Sequence, residues 1–77
     1  MIFPGQSRAA RGLLEWSQTN LAEAAGVSLS TVRDFESGKR TPVPNNLRAM
    51  VDALEKAGVI LIPENGEGAG VRLRKDP

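Results

Sequence analysis

Ser17-Gln-Thr-Asn-Leu-Ala-Glu-Ala-Ala-Gly-Val-Ser-Leu-Ser-Thr-Val-Arg-Asp-Phe-Glu-Ser-Gly-Lys39 is the stretch on which the fold turns. Ser17 offers a side-chain acceptor to the free N–H groups of a helix start, Gln18 to Ala25 favours helix, and Gly26 stops it. Ser28 then offers a second cap, with Thr31 rather than an acidic residue three places on. The spacing predicts a second short helix over Leu29 to Ser37, closed by Gly38. Two brief helices joined by about three residues must cross closely.

That arrangement is a helix-turn-helix unit over residues 18–37. Its sequence meets the demands of a tight crossing. Ala22 is small where the second helix passes, and Gly26 suits a turn with positive φ that most side chains resist. Val32 and Phe35, three apart, face inward with Leu21. The opposite face, Ser30, Thr31, Arg33, Asp34 and Ser37, is left standing clear.

Upstream, Pro4 to about Glu15 reads as a helix with Ala10, Leu13 and Leu14 at helical spacing. Gly12 weakens it and suggests close approach by another helix. Downstream, after the connector 39–44, Asn45 to Ala57 carries Leu47, Met50, Val51 and Leu54 on one face, and Gly58 closes that helix. Val59 to Ile62 is an apolar strand bounded by Pro63; Glu64 to Gly70 is turn-rich; Val71 and Leu73 alternate with Arg72 and Arg74 as a second strand. The expected class is mainly α, a four-helix helix-turn-helix domain over 1–58 with a β-hairpin and tail over 59–77. An isolated hairpin is marginal in water, so it either covers the monomer core or extends through a second copy of the chain.

Composition narrows the function. At 77 residues and 40% apolar content the chain makes one domain with one modest core. Cysteine and histidine are both absent, which removes disulfides, thiolate metal sites, a cysteine nucleophile and the commonest general base. No metal site or cofactor is expected. No apolar run approaches the ~20 residues that span a bilayer, so a soluble, cytoplasmic, bacterial chain without a membrane partner is expected. Net charge is only +1, but six basic residues face four acidic ones between Gln6 and Arg48, against four and five elsewhere. The first half is the side suited to an anionic partner.

Gln18, Leu21, Ala22, Gly26, Val32 and Glu36-Ser37-Gly38-Lys39 together resemble the helix-turn-helix of the Cro/phage-repressor, or XRE, family, and the likeness extends from about Arg8 through Leu54. The resemblance implies a second helix that enters a DNA major groove, with Ser28, Leu29 and Ser30 at base edges and Arg33 and Asp34 one turn further on. Arg33 suits guanine, Asp34 suits the cytosine amino group, and Leu29 suits a thymine methyl. Leu29 also has a core reading, and Asp34 that of a solvated surface charge. Phosphate contacts are expected from Gln18 at a helix start, from Thr31 and Ser37, from Lys39 and Arg40 past the second helix, and from Arg8 on the first. By position, Arg11 matches the family's structural partner of Glu36. Ala22, Gly26, Val32 and Phe35 are structural.

The function so implied is sequence-specific binding of double-stranded DNA by a homodimer that regulates transcription, with the hairpin as the dimer contact. A different class also fits: a protein-binding module, as in an anti-activator or antitoxin, which the acidic Asp34 and near-neutral charge allow. An enzyme is not expected. The chain has no P-loop, dinucleotide-type glycine pattern, nucleophile elbow, zinc spacing or Ser-x-x-Lys.

Overall fold

Helix α1 (Pro4–Leu14) opens on a proline, whose missing N–H is no loss in a first turn. A computed structural model describes residues 2–75; Met1 of the 1–58 segment and the last two residues of the 59–77 tail lie outside them. α1 ends one residue short of the expected Glu15, which adopts a left-handed φ of 57° while the Trp16 N–H donates back to the Arg11 carbonyl at 2.9 Å. That turn reverses the chain into α2 (Gln18–Ala25). Ser17 caps α2 by accepting from the Asn20 N–H at 3.0 Å, and the Asn20 side chain accepts from the Ser17 N–H at 2.9 Å. Two free donors are thus satisfied reciprocally.

Gly26, with φ 70°, ends α2. An added Cβ there would meet no atom within 4 Å, so backbone conformation, not space, selects the glycine. The Ser28 hydroxyl accepts from the Thr31 N–H at 3.1 Å to start α3 (Leu29–Glu36), which stops one residue before the expected Ser37. Past it, the N–H groups of Lys39 and Arg40 both donate to the Asp34 carbonyl, at 2.9 and 3.1 Å. α4 (Pro44–Lys56) starts one residue earlier than expected, because Pro44 takes the first helical position instead of ending the connector.

β1 (Val59–Ile62) and β2 (Gly70–Leu73) pair antiparallel, with Val59 opposite Leu73 and Ile62 opposite Gly70. α2 packs on α3 and α4, α1 packs on α3 and on both strands, and α4 packs on β1. Between them lie Ala10, Leu21, Ala22, Val32, Phe35, Met50, Leu54 and Val59, all buried, with Leu61 and Val71 closing the core from the hairpin. Each such Leu, Val, Phe or Met stabilises by about 1.5–3 kcal/mol relative to exposure.

Two features of α1 differ from the sequence reading. Leu13 is 42% exposed, and the inward face is carried instead by Gln6, Ser7 and Ala10. Gly12 faces solvent with nothing within 4 Å of where a Cβ would stand, so it admits no close helix. Polar residues occupy an inward helix face here because they are hydrogen-bonded there. Gln6 accepts from the Phe3 N–H at 2.8 Å and donates to the carbonyls of Ile62 and Gly70 at 3.1 and 3.0 Å, which ties α1 to both strands.

Candidate nucleic-acid interface

The orientation of α3 is set from beneath by one carboxylate. Glu36, at the end of α3, is 3% exposed. Arg11 reaches it from α1 with two guanidinium nitrogens, Nη2 donating to Oε1 at 2.7 Å and Nε to Oε2 at 2.9 Å. Ser7 Oγ donates to Oε2, and Gln18 Nε2 of α2 donates to Oε1 at 3.1 Å. Arg8 donates to the Glu36 backbone carbonyl, where a cation also suits the negative end of α3. Three helices therefore meet on one anion. Arg11 further donates to the Trp16 carbonyl at 3.0 Å and so fixes the α1–α2 turn as well.

Burial by itself would raise the Glu36 carboxyl, but the hydrogen bonds from Arg11, Ser7 and Gln18 and the Arg11 charge outweigh it and hold the group below its ordinary value. A buried charge is tolerated only when it is paired and hydrogen-bonded in this way. The Arg11–Glu36 pair is the only ion pair among the described residues. Arg33, Lys39 and Arg40 accordingly have no acidic partner there and stand exposed.

With Val32, Phe35 and Glu36 buried, the other face of α3 turns outward. Ser30, Arg33 and Ser37 are exposed and Thr31 and Asp34 half-buried. Leu29 packs against the core, as its apolar reading has it. At the N-terminus of α3 the Ser28 hydroxyl lies 2.8 Å from that of Thr31 and 3.2 Å from that of Ser30. A groove of about 230 Å3 runs beside this face, with Ser30, Thr31 and Asp34 on one wall and Arg40, Thr41 and Asn46 on the other.

Of the residues expected at phosphate, Lys39 and Arg40 stand free on the connector, and the Ser37 hydroxyl donates to the Asp34 carbonyl at 3.2 Å. Gln18 and Arg8 are both turned toward Glu36, a use that neither residue type nor spacing suggested. Asn46 was missed altogether. It lies in the first turn of α4, and only the folding of the connector brings it alongside α3.

A family model described as helix-turn-helix matches residues 8–59. The chain belongs to the Cro/phage-repressor, or XRE, family of helix-turn-helix DNA-binding domains. No curated protein sequence matches it. The match runs from Arg8 to Val59, so it takes in the Glu36 network and the whole of α3 and ends where the hairpin begins. As an XRE helix-turn-helix domain it joins a DNA-binding regulatory family. Among the described residues no helix is long and apolar enough to cross a membrane.

Proposed function

We propose that the protein is a sequence-specific transcriptional regulator that binds double-stranded DNA as a homodimer, with α3 of each copy in a major groove. The observation that carries this reading is the two-sidedness of α3: Glu36 is bound by side chains of α1 and α2 on one side, while Ser30, Arg33 and Ser37 are exposed on the other. Base readout falls to Ser28, Leu29, Ser30, Arg33 and Asp34. Arg33 presents a free guanidinium fork, which suits the O6 and N7 of guanine and is worth about 1–3 kcal/mol of discrimination. Lys39 and Arg40 take phosphates, joined by Thr31, Ser37 and the outer edges of Gln18 and Arg8. The protein works in the cytoplasm, where the DNA is.

A second reading, in which the same face binds another protein, is favoured by Asp34, an acidic group beside the groove on the reading helix. Duplex binding measured against salt separates the two. A DNA reader loses affinity steeply as salt rises, with a slope of about −0.9 per phosphate contact. Arg33→Ala should weaken binding at one base position, whereas Lys39→Ala should weaken all sequences alike and shallow the slope by about one. Equal effects of the two substitutions would refute the role of Arg33. Absence of duplex binding at low salt would favour the protein-binding reading.

A further inference from the structure

The Arg74 N–H donates to the Gly58 carbonyl at 2.8 Å, and Val59 lies opposite Leu73. Antiparallel ladders alternate, so Ile60 with Arg72 and Ile62 with Gly70 also face one another, while Leu61 of β1 and Val71 and Leu73 of β2 turn their N–H and C=O groups outward. Among the described residues the hairpin is the whole sheet, so both of its edges lack a neighbouring strand there. Val59 is 2% exposed and closed off, which leaves Leu61 as the reachable edge position of β1.

β1 is also more apolar than a strand covering a core requires. One face, Val59 and Leu61, packs on the core. A strand with its other face in water alternates with polar residues, yet here that face carries Ile60 and Ile62, half-buried and not packed against the core.

Resting on the homodimer reading and deepening it, we infer that β1 pairs edge to edge with β1 of a second copy, antiparallel, with the two-fold axis at Leu61. The result is a four-stranded sheet in the order β2, β1, partner β1, partner β2. In that register the Leu61 N–H of each copy meets the other's Leu61 carbonyl. Ile60 lies opposite the partner's Ile62, and the reverse, so the surplus apolar pair of one chain covers that of the other. Pro63, which follows, has no N–H and ends the pairing. Charge favours this edge over the alternative: β2 against its own copy with the two-fold axis at Leu73 brings Arg72 across from the partner's Arg74, whereas β1 carries no charge. Pairing β1 with β2 is head-to-tail and builds a ring or a filament, not a two-fold dimer.

Sedimentation of the whole chain across a concentration series, with Ile60→Lys and Arg72→Glu, tests the site. The wild type and Arg72→Glu should dimerise, and Ile60→Lys, with its helical circular dichroism unchanged, should raise the dissociation constant by at least about tenfold. Register is read by oxidation, since the natural chain has no cysteine. A mixture of Ile60→Cys and Ile62→Cys chains should crosslink, while each alone should not, because like positions lie about 7–8 Å apart on the diagonal. A wild-type dimer that Ile60→Lys leaves intact, or crosslinking as strong in either variant alone, overturns β1 pairing while the homodimer stands. A wild type that stays monomeric overturns both. A crosslinked dimer that binds no duplex overturns the DNA reading and leaves the β1 interface in place.

Discussion

Two buried polar side chains, Glu36 and Gln6, hold opposite sides of this molecule, and they do it by different physics. Glu36 is an anion that gathers Ser7, Arg11 and Gln18 at the foot of α3, whereas Gln6 is a neutral amide that joins α1 to the hairpin through the carbonyls of Ile62 and Gly70. Both networks are complete: no buried side-chain polar atom among the described residues lacks a partner. Both also run through α1, which links α3 on one flank to the strands on the other. The charged network depends on Glu36 staying ionised, whereas the neutral one contains no group that titrates.

Breaking the charged side should have the largest effect. Glu36→Ala leaves the Arg11 guanidinium without its counter-ion and should lower unfolding free energy by about 3–5 kcal/mol, measured by urea denaturation. For a domain of this size that approaches the whole stability. Gln6→Ala should be milder, about 1–3 kcal/mol, because a neutral donor and acceptor are removed and water can replace part of them. It should loosen the hairpin first, so amide exchange at Ile62 should speed up more than exchange in α2 or α3.

Acid should separate the two sides as well. The folded Glu36 carboxyl lies below its ordinary value, so its contribution is present above the unfolded value of about 4.3 and fades as pH falls through the folded one. Between those limits the unfolded chain binds more protons, and stability rises with pH. Urea midpoints taken from pH 7 down to pH 3 should fall in the wild type and in Gln6→Ala alike, and more shallowly in Glu36→Gln. An unchanged slope in Glu36→Gln would show that other carboxylates govern the acid limb. The smallest effect belongs to neither network: Gly12→Ala, on the exposed side of α1, should stabilise by about 0.5–1 kcal/mol and raise the thermal midpoint by a few degrees.

Much of the architecture was legible because each boundary carries its own chemistry. Ser17 and Ser28 begin helices, Gly26 and Gly38 end them, and the β-branched run after Gly58 announces a strand. The reversal at Glu15 was not legible, since nothing in that residue type advertises a left-handed conformation. Nor was Gln6: a glutamine on a short helix looks like a solvated one until the strand carbonyls 56 and 64 residues away are seen beside it. Leu13 departs from its apolar spacing for the complementary reason: Gln6 and Ser7, hydrogen-bonded to the strands and to Glu36, claim the inward face. At the interface, the exposed pattern of α3 followed from the positions of Val32 and Phe35, while the groove with Asn46 depends on a connector whose path no periodicity encodes.

The brevity of α3 limits what one copy can know about a genome. Eight residues at a rise of about 1.5 Å extend roughly 12 Å, which alongside base pairs stacked at 3.4 Å covers between three and four of them. Four base pairs recur by chance about once in every 256, so a single helix of this length, docked as proposed above, reads a syllable shared by thousands of loci, against the roughly 10⁶–10⁹ competing sites that a chromosome presents. On the homodimer reading proposed above, an address is spelled by two such helices, and the distance between them becomes part of the message.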